Sequence, residues 1–64
     1  MDREYDIFEK LSDGKLEWRC FVTGLKAARV RLKLLAARSK NEFFAIHTPT
    51  KEIAARVNDE RATN

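Results

Sequence analysis

The one pair of side chains in this 64-residue sequence that suggests nucleophilic catalysis is Cys20 and His47. A thiol attacks only when a base holds it deprotonated within hydrogen-bond reach, so the pair matters only if the fold brings them together. Residue alternation, developed below, puts Cys20 on the covered face of a sheet and His47 on the opposite one. No catalytic residue is therefore assigned, and Cys20 reads as a small buried hydrophobe. One cysteine cannot form an internal disulfide. One histidine and one cysteine also fall short of the three or four ligands a metal site needs, so no metal or cofactor is implied. Asp13-Gly14 is turn chemistry, because a phosphate loop needs a richer glycine pattern than two glycines in the whole chain allow. What remains is the chemistry of binding.

Charge is unevenly spread. Residues 1–17 hold six acids and three bases, residues 18–40 seven bases and no acid, and residues 41–64 three bases and four acids. The net charge of +3 thus hides a basic middle block. Lys26, Arg29, Arg31, Lys33, Arg38 and Lys40 of that block are candidate anion-binding residues. A solvated face paired with carboxylates from elsewhere in the fold is the alternative.

The elements that must position these groups follow from hydrophobic period and turn residues. Tyr5 to Leu11 and Leu16 to Thr23 flank Asp13-Gly14, a strong signal for a hairpin with a two-residue type I′ turn. That turn pairs Leu11 with Leu16, Glu9 with Trp18, Ile7 with Cys20 and Tyr5 with Val22 on one face. The other face pairs Lys10 with Glu17, Phe8 with Arg19 and Asp6 with Phe21. Thr23 or Gly24 opens a helix that runs from Leu25 to about Lys40, with Thr23 favoured as the cap because its hydroxyl can accept a first-turn amide, and Asn41 closes it in a left-handed conformation. A second hairpin joins Glu42 to Thr48 with Lys51 to Val57 around Pro49. It pairs Ile46 with Ile53 and Phe44 with Ala55 on one face, and His47 with Glu52, Ala45 with Ala54 and Phe43 with Arg56 on the other. Residues 58–64 read as a disordered polar tail after a single domain over 1–57.

The order is ββαββ. The predicted fold class is α+β, a four-stranded, mostly antiparallel sheet with one helix packed on one face and strand order 2-1-3-4. The expected core is Tyr5, Ile7, Leu11, Leu16, Trp18, Cys20, Val22, Phe44, Ile46, Ile53 and Ala55, plus the helix stripe Leu25, Ala28, Leu32, Leu35 and Ala36.

Two surfaces then carry more apolar character than they need. A second helix stripe, Ala27, Val30, Leu34 and Ala37, points away from the sheet. The outer face of the sheet is expected to present Phe8, Phe21 and Phe43 with Lys10, Arg19, His47 and Arg56. Aromatics interleaved with bases can stack single-stranded bases, and the same aromatics can be buried between two copies of the chain.

Tyr5-Asp6-Ile7-Phe8, Asp13-Gly14, Trp18-Arg19, Gly24-Leu25 with Ala28, Glu42-Phe43-Phe44-Ala45 and Glu52-Ile53-Ala54-Ala55-Arg56-Val57 together resemble small bacterial proteins of unknown function. The likeness covers about residues 5–57 and implies a bacterial cytoplasmic protein, with no activity or cofactor attached. It also implies acids just after the leucine that opens the helix, where this chain has Lys26.

The longest apolar runs are two to four residues and the first residues are charged, so neither a membrane span nor a secretory signal is expected. The sequence reads as a cytoplasmic, non-catalytic interaction module. Its partner is expected to be itself or another protein, met through the outer sheet face or the helix stripe Ala27, Val30, Leu34 and Ala37, with nucleic acid as the alternative and neither membrane nor small-molecule substrate. A chain this short buries only roughly 60% of its unfolded surface, which favours association.

Overall fold

In a computed structural model, which describes residues 3–58, the Asp13-Gly14 turn closes its hairpin with one residue more than the type I′ loop has. Gly14 N–H donates to Leu11 O at 2.9 Å and Leu11 N–H to Lys15 O at 2.8 Å. The loop is therefore Ser12-Asp13-Gly14, a type I turn followed by glycine at φ +90°. The Asp13 carboxylate accepts from Lys15 N–H at 2.9 Å and stiffens it.

This turn joins β1 (Glu4–Lys10) to β2 (Leu16–Thr23). Then come α1 (Leu25–Ala36), β3 (Glu42–His47) and β4 (Glu52–Val57). All neighbours are antiparallel, and the strand order is β2-β1-β3-β4, the α+β arrangement expected. One open sheet and one helix make up the fold.

The three-residue loop sets the partners next to the turn to Lys10–Leu16, Glu9–Glu17 and Phe8–Trp18. A bulge then leaves Arg19 without a partner, and beyond it Ile7–Cys20, Asp6–Phe21 and Tyr5–Val22 pair as the sequence predicted. Two one-residue displacements cancel. Between them, Leu16 and Trp18 turn to the face opposite the expected one, because a one-residue slip reverses every side chain.

The second hairpin behaves alike. His47–Glu52 and Ile46–Ile53 pair as expected; Ala54 bulges, and Ala45–Ala55, Phe44–Arg56 and Phe43–Val57 follow. Lys51, at φ +65°, donates its N–H to His47 O at 2.7 Å and closes the loop around Pro49.

Strand β3 faces the other way from the prediction. Its ladder to β1 sets Ala45 beside Ile7 and Phe43 beside Glu9, so Phe43, Ala45 and His47 lie on the helix side. Phe44 and Ile46 lie on the outer side. The core is Ile7, Ala28, Leu32, Phe43 and Ala45, with Tyr5, Cys20, Val22, Leu35, Ala55 and Val57 packed around it. Ala28 and Ala45 are both fully buried. Two small residues in one cluster let the helix sit close to the sheet, and Phe43 and Leu32 fill the space beside them. Leu16, Trp18, Ile46 and Ile53 are therefore not part of the core, while Phe44 is buried as expected, but on the outer side of the sheet.

Gly24, not Thr23, opens the helix. Thr23 still pairs with Glu4 in the sheet. Gly24 donates its N–H to Arg3 O at 2.7 Å and accepts from Ala28 N–H at 3.0 Å. At φ 96° and ψ 137° it makes a corner that side chains resist. The helix stops at Ala36, before the expected Lys40, with Arg38 and Ser39 N–H both reaching Leu35 O. Asn41 is not left-handed; the described non-glycine residues with positive φ are Lys51 and Asn58. Asn58 is tied down, its amide donating to Ser39 O and Asn41 O, both at 3.0 Å. The rest of the expected tail lies outside the described residues.

Two substitutions check this packing in chemical denaturation. A Cβ on Gly24 would touch nothing within 4 Å, so Gly24→Ala tests the backbone alone and should lose about 1–3 kcal/mol. Phe43→Ala should lose about 3–5 kcal/mol, whereas Phe21→Ala in dilute solution should change stability by less than about 1 kcal/mol. Equal losses from the two phenylalanines would overturn the assignment of faces.

Candidate interaction surfaces

The outer face of the sheet is built in rows. Phe21, Asp6, Ile46 and Ile53 lie side by side across the four strands, and Trp18, Phe8, Phe44 and Arg56 form the next row. Leu16, Lys10 and Glu42 complete it towards the Asp13-Gly14 turn. Leu16, Trp18, Phe21 and Ile53 are 53%, 54%, 50% and 47% exposed. Phe8 and Phe44 stack at the centre, centroids 6.5 Å apart and planes 25° apart. Among the described residues no element covers this face, since the helix contributes its apolar stripe to the other one.

Polar groups on the face are held in place. The Asp6 carboxylate accepts from the Trp18 indole N–H at 3.1 Å and from the Thr48 hydroxyl at 3.0 Å. The indole is thereby tethered to β1 while about half of the residue stays open to solvent. Glu42 stands beside Lys10 on β1 and within 3.7 Å of the Arg56 guanidinium.

Of the residues expected on this surface, Phe8, Phe21, Lys10 and Arg56 are there. Phe43 is not: it is 2% exposed and part of the core. His47 is not either; it lies on the helix side, its ring 5.3 Å from Tyr5 and Nδ1 2.9 Å from the Thr50 hydroxyl. Both displacements have one cause. β3 is apolar on both sides, so alternation within its hairpin does not distinguish them. Trp18 and Ile53 belong to the surface, against the expectation that they are core; Phe44 is buried as expected, 7% exposed, but beneath the outer face and not under the helix. The signal that could have found Trp18 was the choice of a three-residue loop for the same Asp-Gly.

Arg19 leaves the outer face through its bulge and turns onto Glu9. Glu9 is a buried carboxylate on the helix side of β1, 6% exposed. The Arg19 Nε–H donates to it at 2.7 Å, and a second guanidinium nitrogen pairs with the same oxygen. The Asn41 amide donates to the other oxygen at 2.6 Å. Arg19 also pairs with Glu17 at 2.7 Å. One carboxylate thus joins β1, the β2 bulge and the segment that leads into β3. The Asn41 hydrogen bond holds the Glu9 carboxyl below its ordinary value; partial burial opposes this, and Arg19 and Ser39 reinforce it.

Cys20 and His47 share the helix side of the sheet, a correction to the expectation that a sheet separates them. Strand β1 still lies between β2 and β3, which leaves the two backbones roughly 10 Å apart. The nearest polar contact of Cys20 is the Arg31 guanidinium, 3.7 Å from its sulfur. Among the described residues no group of His, Cys, Asp and Glu could hold a metal ion. Nor is any described helix long and apolar enough to cross a membrane.

The helix presents the expected stripes. Ala28 and Leu32 are buried and Leu25, Leu35 and Ala36 half-buried, while Ala27, Val30, Leu34 and Ala37 are exposed. Lys26, Arg29, Arg31, Lys33, Arg38 and Lys40 are exposed as well.

Comparison with known proteins finds no matching family model, no matching curated protein and no matching solved structure.

The Glu9 network makes stability depend on pH with a definite sign. Its carboxyl holds a proton less readily when folded than when unfolded, so its contribution is complete above the ordinary glutamate value of about 4.3. It is lost as the pH falls through the lower folded value. Urea midpoints measured down to about pH 3 should fall more steeply for the wild type than for Glu9→Gln. Parallel curves would show that the buried carboxylate does not contribute in this way.

Proposed function

We propose that this protein is a small non-catalytic interaction module that pairs with a second copy of itself through the outer face of its sheet. The observation that carries this reading is the set of half-exposed Leu16, Trp18, Phe21 and Ile53 around the Phe8–Phe44 stack. With roughly 150–250 Å² in each full aromatic side chain, the four leave on the order of 400 Å² of apolar surface in water. That is within the range of the largest patch on a monomer, where such patches serve binding. It would form the dry centre of a standard interface of about 800 Å² per partner, with polar groups around it.

The mode of pairing follows from the edges. Each edge strand carries a bulge, Arg19 on β2 and Ala54 on β4, and a bulge interrupts the ladder another strand would extend. Pairing face to face meets no such obstacle, and sheets stack at about 10 Å with their apolar sides interleaved. A two-fold interface must also be self-complementary. The face carries both signs, Asp6 and Glu42 with Lys10 and Arg56, so a second copy can offset each charge.

These same acids weigh against the alternative of a sheet that stacks single-stranded bases, as does the burial of Phe43 in the core. The reading includes a cytoplasmic location and neither cofactor nor small-molecule substrate.

Trp18, the single tryptophan, reports on the proposed interface. Its emission should shift to shorter wavelength as protein concentration rises, because pairing removes water from the indole. Phe21→Asp should abolish that shift and keep the far-ultraviolet circular dichroism of the wild type. Emission independent of concentration, or a Phe21→Asp variant that shifts like the wild type, would contradict the proposal.

A further inference from the structure

Between Gly24 and Asn41 the chain holds Lys26, Arg29, Arg31, Lys33, Arg38 and Lys40 and no acid. All six are exposed. Ion pairs among the described residues join Arg19 to Glu9 and Glu17, and Arg56 to Glu42. None of these brings a carboxylate to the helix. At 100° per residue Lys26, Arg29 and Lys33 lie along one flank of the helix, Arg29 and Lys33 beside Ala55 and Arg56 of β4, and Arg31 lies along the other, its guanidinium 3.7 Å from Cys20 Sγ; Arg38 follows just past the last turn. The ridge between them is Ala27, Val30, Leu34 and Ala37, two of its four side chains being single methyl groups.

Helix stability does not account for this pattern. The first turn has no acid and carries Lys26, which opposes the helix dipole. Lys26 with Arg29, and Arg29 with Lys33, are like charges three and four residues apart, which destabilise a helix. Lys33 in the last turn suits the dipole, but the basic first half of the helix violates local preference, and that is where an external ligand is to be sought.

We infer that the outward face of α1 binds the phosphate backbone of a nucleic-acid duplex. A helix is about 10–12 Å across with its side chains, and the major groove of DNA is about 12 Å wide. A low ridge with bases on both flanks meets the two phosphate rows that border such a groove. Three of the six bases are arginines, whose planar fork binds phosphate oxygens in pairs. A membrane surface fits less well, because a helix that inserts needs large apolar or aromatic residues between its bases and this ridge has only Val30 and Leu34. The helix lies on the side of the sheet opposite the aromatic face, so the inference stands independently of self-association.

The test is fluorescence anisotropy of a labelled mixed-sequence DNA duplex titrated with the full chain at several salt concentrations. Affinity should fall with salt with a logarithmic slope of about −5 if five or six phosphates are neutralised. Arg31→Glu with Arg38→Glu should lower affinity roughly tenfold or more and flatten the slope by about two. Lys15→Glu with Lys51→Glu changes net charge equally away from the helix and should leave binding little altered. Circular dichroism checks that both variants fold. Three outcomes overturn the inference: no binding at low salt, equal losses in the two double variants, or tighter binding to phosphatidylserine vesicles than to the duplex.

Discussion

One helix of twelve residues serves a four-stranded sheet that is apolar on both sides. The helix buries Ile7, Phe43 and Ala45, and among the described residues nothing is left to bury Trp18, Phe21 and Ile53. In a chain of 64 residues, with one cysteine and no disulfide, the core alone supplies little surplus stability. Removing the second apolar face from water is the largest stabilising step still open to the molecule. The proposed association would couple folding to pairing through this asymmetry.

The two bulges decide how that face is used. Arg19 and Ala54 each add one residue to an edge strand, and each addition turns side chains over. On β2 the effect is to hold Cys20 and Val22 on the core side while Leu16 and Trp18 face outwards. The same bulge frees Arg19 to reach Glu9 and Glu17, so a buried carboxylate is ligated at the point where the ladder breaks. Glu9 in turn takes the Asn41 amide, and Asn58 binds the backbone of Ser39 and Asn41. One polar network anchors the end of β4, the segment after the helix and the bulged strand.

The order of elements, the strand order, both hairpins and the two helix stripes were legible in the sequence, because each rests on local period and turn chemistry. Which side of β3 faces the helix was not. Phe43 and Ala45 compete with Phe44 and Ile46, and only the need for a small residue opposite Ala28 separates them. Loop length was ambiguous too, since Asp-Gly closes loops of two or three residues. These local ambiguities moved Trp18 and Ile53 onto the outer face of the sheet, turned buried Phe44 to that side, and took Phe43 and His47 off it. Phe8 and Phe21 were placed correctly because the Arg19 bulge restores the register in which Asp6 meets Phe21.

Solution mass by light scattering behind a sizing column, at two protein concentrations and two salt concentrations, tests the account most directly. Burial of an apolar face predicts twice the 7.4 kDa chain mass at the higher concentration. It also predicts little change with salt, because screening weakens charge pairs and leaves hydrophobic contact intact. A mass of one chain at every concentration would contradict it, and so would an assembly that salt dissolves.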